Sequence, residues 1–114
     1  MAARPNPIWV PSASDIARAR VTAFAEFASS AYGYRGRSYL DLWRWSVASL
    51  DDFWDAVWMY FGVQSSSPHR GVRAGTMPQV RWFDGAQISY VAHLFSGRPA
   101  DAVAIISSVD PIMV

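Results

Sequence analysis

The 24-residue stretch SYLDLWRWSVASLDDFWDAVWMYF, from Ser38 to Phe61, constrains this chain more than any other part of it. It holds four of the chain's six tryptophans, and it repeats one helix-start device: Ser38 with Asp41 three residues on, then Ser49 with Asp52. In such a box the serine hydroxyl accepts from the third helical N–H, and the acid accepts from the serine N–H. Two helices are therefore expected, near Tyr39–Val47 and Leu50–Phe61. In the second, Leu50, Phe53, Trp54, Val57, Trp58 and Phe61 recur every three or four residues, which puts them on one helical face. That face is too apolar and too broad for a free-standing surface helix.

A third box, Ser12 with Asp15, predicts an earlier helix running to about Ala31, with Gly33 as its stop. Ala17, Val21, Phe24, Ala28 and Ala31 form its stripe, flanked by Ile16 and Phe27. Upstream, Pro5, Pro7 and Pro11 predict extended chain, with Trp9 tucked against the folded body. Downstream, Val63–Gln79 carries three consecutive serines, Gly71, Gly75, Pro68 and Pro78, and no sustained period. A structureless run of that length inside a small domain wraps another body or stays disordered. Val80–Phe83 reads as a short strand, Asp84-Gly85 as a turn and Ile88–Phe95 as a short helix. Ala102–Ser107 reads as a buried strand. Its sole candidate partner is the short strand at Trp82, and a two-stranded sheet alone is marginal in water.

The expected architecture is mainly α: a three-helix cap over residues 12–62, a wrapping loop over 63–79, and a strand-rich beginning of a larger domain over 80–114. The 114 residues fit one domain, and 52% hydrophobic with 17% charged residues is not a disordered composition. A net charge of +1 gives no electrostatic case for nucleic acid or an acidic membrane. The N-terminus lacks a secretory h-region, and no apolar run reaches the ~18 residues of a membrane span.

Residue types exclude much chemistry. Without cysteine there is no thiolate catalysis, no disulfide and no Cys-ligated metal, a pattern that fits the cytoplasm. All ten basic residues are arginine, so a Schiff-base or phosphate-loop lysine is absent from these residues. His69 and His93 lack metal-ligand spacing, and His93 reads as a core or interface imidazole. Asp51, Asp52 and Asp55 cluster where a helix dipole favours acids, and capping accounts for them. Arg70, Arg73 and Arg81 lie near Trp82 and Phe83, but Asp84 and the charge balance argue against a nucleic-acid surface. Neither a nucleophile elbow nor a glycine-rich phosphate loop occurs. No catalytic, cofactor-binding or metal-binding residue is assigned.

Four blocks in order resemble a known family: Trp9-Val10-Pro11-Ser12, Tyr39–Val47 (YLDLWRWSV), Phe53–Trp58 (FWDAVW) and Arg81–Ala86 (RWFDGA). They are similar to the N-terminal region of acetoacetyl-CoA synthetases, also called acetoacetate–CoA ligases, of the adenylate-forming superfamily. The resemblance implies a full enzyme that uses ATP, magnesium and CoA to convert acetoacetate to acetoacetyl-CoA. It also implies that the phosphate loop, the nucleotide-binding aspartates and the catalytic lysine lie downstream of this region. Asp84, Ser89, Val91 and Ala92 depart from the family's usual Pro, Asn, Ala and Glu, which implies a looser local turn.

The resemblance implies a structural cap on a large nucleotide-binding domain, joined in cis or as a separate chain, with the last strand entering that domain's sheet. The principal expectation is thus an N-terminal ligase segment inactive by itself. A second reading is a stand-alone helical interaction module that binds a protein, or a second copy, through its Trp54/Trp58 face. An independent small enzyme ranks last.

Overall fold

The computed structural model describes residues 7–108. Five helices and one two-stranded sheet follow in the order α1 (Ala13–Arg18), α2 (Arg20–Tyr32), α3 (Tyr39–Ala48), α4 (Leu50–Tyr60), β1 (Arg73–Ala74), β2 (Arg81–Trp82) and α5 (Tyr90–Phe95). The chain is mainly helical, as its sequence implies.

Two of the three Ser–Asp boxes close. The Ser12 hydroxyl accepts from the Asp15 N–H and the Ser38 hydroxyl from the Asp41 N–H, and each acid accepts in return from its serine N–H. The third does not close: Ser49 makes no side-chain cap bond. It is the hinge shared by α3 and α4, with its N–H donating to Trp45 O at 2.9 Å and its carbonyl accepting from Phe53 N at 2.9 Å. Ending one helix while starting the next sets its backbone at φ −120°, ψ 62°, outside the extended region usual for a cap.

The single first helix expected from Ser12 to Ala31 is two helices. Ala19 takes an extended conformation, ψ 136°. The Thr22 hydroxyl donates to Ile16 O at 2.6 Å, a carbonyl that an unbroken helix would offer to the Arg20 N–H. Gly33 ends α2 in the left-handed region at φ 68°, as its position predicts.

The core sits between α2, α3 and α4. Phe24, Ala28, Tyr34, Leu42 and Ala56 are buried, with Phe27, Trp45, Phe53, Val57 and Tyr60 packed against them. Edge-to-face rings bind it together: Phe24 meets Phe53 at 5.8 Å and Tyr60 at 5.3 Å, and Trp45 meets Phe53 at 5.7 Å. Such pairs add about 1 kcal/mol each beyond area burial. Ala28 and Ala56, without accessible surface, let α2 and α4 approach closely.

The serine-rich segment is neither structureless nor a spacer. It folds back as an irregular antiparallel ribbon, with Arg73 opposite Trp82 and Ala74 opposite Arg81. Serine hydroxyls extend the pairing where the ladder stops. Ser65 Oγ accepts from the Gln87 N–H at 2.9 Å, and Ser67 Oγ donates to Gly85 O at 2.6 Å. The partner of the Trp82 strand is therefore Arg73–Ala74, not residues 102–107.

The predicted C-terminal strand does not form. Residues 103–108 have no regular secondary structure, and Ile105 and Ile106 are 86% and 88% exposed. A single apolar strand has no backbone partners of its own, and among the described residues the sheet pairs β1 with β2 alone. The strand-rich beginning expected over 80–114 is thus, within its described residues, one two-residue strand and the helix α5. Trp9 also departs from expectation, being 72% exposed because no element folds over it. Pro5 and Asp110-Pro111 lie outside the described residues.

Candidate functional site

The apolar residues of α4 point to two sides. Phe53, Ala56, Val57 and Tyr60 turn inward to α2 and α3. Trp54 and Trp58 turn toward the serine-rich ribbon. The Trp58 ring lies 4.5 Å from Phe83 and 5.1 Å from His69, and these two are 5.2 Å apart. Trp54 meets Trp82 edge-on at 5.8 Å. Arg73 Nε pairs with Asp51 Oδ1 at 3.0 Å, tying the ribbon to the first turn of α4.

Phe83 sits at φ 47°, a left-handed conformation that costs a bulky residue roughly 1–2 kcal/mol. Its surroundings over-determine that conformation. The Phe83 N–H donates to Val72 O at 2.8 Å, its carbonyl accepts from the Ala86 N–H at 2.9 Å, and its ring fills the space beside Trp58. The Trp54/Trp58 surface considered for a foreign partner is thus largely occupied by the chain's own ribbon.

A different face is left open. Tyr39, Leu40, Trp43 and Val47 follow one another along the outer side of α3, all exposed. Trp43 and Val47 keep 52% and 53% of their surface in contact with water, and Phe61 at the end of α4 keeps 57%. Tyr39, Trp43 and Phe61, together with Val21 and Phe24 of α2, border a groove of ≈ 370 Å³. Its only charged lining residue is Arg20, which pairs with no carboxylate among the described residues. Ser46, the one hydroxyl-bearing aliphatic residue there, donates to its own helix at Trp43 O, 2.8 Å away. The groove is otherwise lined by apolar and aromatic side chains.

Two of the three acids at the start of α4, Asp51 and Asp55, have structural partners. Tyr32 donates to Asp55 Oδ2 at 2.7 Å, and burial followed by that carboxylate pushes the phenol up to about 12. Asp51 holds Arg73. At the boxes, bonds from the Ser12 and Ser38 hydroxyls hold the Asp15 and Asp41 carboxyls below the usual carboxylate range. Burial, then the nearby Asp41 charge, raises the Tyr34 phenol. Nδ1 of His69 and of His93 is buried with no hydrogen-bond partner among the described residues. Within the described residues no three His, Asp or Glu side chains gather into a metal-binding group.

Sequence reasoning missed the ribbon's clasp on α4 and the open stripe of α3. The stripe had a signal: Tyr39, Trp43 and Val47 recur every four residues beside the inward Leu42 and Trp45, so α3 carries apolar side chains on two sides.

Comparison with known proteins agrees with this arrangement. Residues 39–94 match the family described as the acetyl-coenzyme A synthetase N-terminus. A malonamoyl-CoA synthetase of Penicillium aethiopicum is 32% identical over 85 residues, which is 72% of this chain and 12% of that protein. The acetoacetyl-CoA synthetase of Danio rerio is 27% identical over 103 residues, 86% of this chain and 15% of that one. The solved acetoacetyl-CoA synthetase of Streptomyces lividans superposes with a TM-score of 0.77 at 41% identity, covering 81% of this chain and 15% of the other. The chain therefore spans about one seventh of the length of these relatives. On sequence and on fold alike, this chain is an N-terminal region of the acetoacetyl-CoA synthetase type.

Proposed function

We propose that this segment serves an acetoacetate–CoA ligase as a structural cap and has no activity alone. In the reaction we assign to the whole enzyme, acetoacetate attacks ATP to give acetoacetyl-adenylate and pyrophosphate. The CoA thiol then displaces AMP, giving acetoacetyl-CoA. We assign no magnesium or nucleotide ligand to this chain; in support, Asp51 and Asp55 are engaged by Arg73 and Tyr32. No step is therefore routed through this chain's side chains. The reading places the segment in the cytoplasm, where ATP and CoA are supplied. Among the described residues, no helix is long and apolar enough to cross a membrane.

The observation that carries this reading is the uncovered apolar surface. Tyr39, Leu40, Trp43 and Val47 on α3 and Val103, Ile105 and Ile106 beyond α5 are all exposed. The large domain of the ligase would cover exposed apolar surface of this segment and receive residues 103–107. An independent interaction module working through Trp54 and Trp58 is less well supported, because Phe83 and His69 occupy Trp58.

The test is light scattering with size-exclusion chromatography on the purified chain, read beside hydrophobic-dye binding and an acetoacetyl-CoA assay. Dye-binding oligomers without turnover are expected. A dye-silent monomer, or ATP-dependent formation of acetoacetyl-CoA by the chain, overturns the reading.

A further inference from the structure

We infer that the outer stripe of α3 and the groove beside it form the surface by which this segment docks on the rest of its ligase, with Trp43 as anchor and Arg20 facing a carboxylate of the partner. The inference rests on the function proposed above and specifies which of two candidate faces does the docking.

Three observations select this face. First, the competing face of α4 is largely occupied by the chain's own ribbon, where Trp58 packs with His69 and Phe83. Second, Tyr39, Leu40, Trp43 and Val47 are contiguous along one side of a single helix, and all are exposed. Large aromatic residues bordering a concavity are the usual anchors of a protein interface. Third, the occupant has a source, because the solved relative whose fold this chain shares carries far more chain than the 15% matched here. An aliphatic or aromatic side chain of that body suits a groove walled by Phe24, Leu42, Trp43 and Phe61. Arg20 stands at the groove without a carboxylate partner among the described residues, so an acid at the edge of the incoming segment would complete the contact. The fit is to a protein surface that is apolar at its centre and acidic at its rim.

The test is a chimera in which this chain replaces the matching N-terminal region of the Streptomyces lividans enzyme. Acetoacetyl-CoA formation and thermal stability are followed in the parent chimera and in W43E, W43F and R20E. The expected result is an active parent, W43E reduced about tenfold or more, the loss expected of an interface anchor, and W43F close to the parent. R20E is expected to lose activity mildly, with the deficit shrinking at high salt as screening weakens the new like-charge contact. Circular dichroism of the free W43E chain checks that its helices persist, since Trp43 is half in water already. Full activity and stability of W43E in an active chimera overturns the docking surface while leaving the cap function standing. So does a free W43E chain that loses its helices, because Trp43 then belongs to the fold. An inactive or aggregated parent chimera overturns the cap function, and this inference with it.

Discussion

Gly36 shows how tightly single residues are fitted around the Ser38 cap. A methyl group at its α-carbon would overlap the Tyr34 hydroxyl and press on Asp41 Cβ. Tyr34 is buried and Asp41 closes the box on α3, so neither yields freely. Gly36→Ala is expected to cost about 1–3 kcal/mol, the range for overpacking, measurable by urea unfolding. Unchanged stability would mean the turn relaxes around the methyl. Tyr32 gives the chain a dependence on alkaline pH. Its phenol is neutral in the folded chain up to about 12, above the ordinary value near 10. A raised folded value contributes stability that is fully present below about pH 10 and is lost as pH rises through about 12. Tyr32→Phe is expected to flatten that alkaline decline and to cost about 1 kcal/mol at neutral pH. The readout is the urea midpoint from about pH 8 to about pH 12, and an equally steep decline in the variant would exclude Tyr32 as its source.

At the scale of elements, the start of α3 and the clasp on α4 are separable. Ser38→Ala removes the acceptor for the Asp41 N–H and is expected to lower stability by about 1 kcal/mol. Because Asp41 is held below the usual carboxylate range, the box stabilises above roughly pH 4 and fails as pH drops through the lowered value. The difference between Ser38→Ala and the parent, followed by circular dichroism in acid, should therefore narrow. A constant gap would assign the effect to something other than the box. Phe83→Ala removes the ring wedged against Trp58 and His69, which should cost about 2 kcal/mol for a half-buried aromatic. It should also release the ribbon, speeding tryptic cleavage at Arg70 and Arg73 while α2 and α4 resist. Cleavage at the parent rate would show that the ribbon is held by its serine bonds and by Arg73–Asp51 alone.

Over the whole molecule, stability should fall from the three-helix core toward residues 90–108. The five buried side chains all lie in or beside α2, α3 and α4, whereas α5 has no buried residue. Amide hydrogen exchange is expected to be slowest in α2 and α4 and fastest from Tyr90 onward. Protection of residues 103–107 equal to that of α4 in the free chain would contradict this gradient. Among the described residues, the stripe of α3 and the apolar run from Val103 leave large apolar side chains in water.

The helical class of the chain, the approximate spans of α3, α4 and α5, two of the three Ser–Asp caps, the stop at Gly33 and the short strand at Trp82 were legible in the sequence, whereas the division of the first helix at Ala19 was not. Capping and hydrophobic period are local, and a window of a dozen residues contains all the groups involved. The four blocks from Trp9 to Ala86 likewise pointed to the ligase family through local residues. What the tertiary structure decided depended on groups distant in the chain. The ribbon formed because Ser65 and Ser67 found Gln87 and Gly85 some twenty residues away. Which face of α4 is covered followed from where Phe83 and His69 arrive, and that left α3 as the open side. The break at Ala19 is local, but it is marked by a bond from the Thr22 hydroxyl to the Ile16 carbonyl that the apolar period of the segment does not report. Residues 102–107 have the pattern of a strand, but a strand is a pairing and not a pattern. Its hydrogen bonds must come from another strand, and among the described residues none pairs with it.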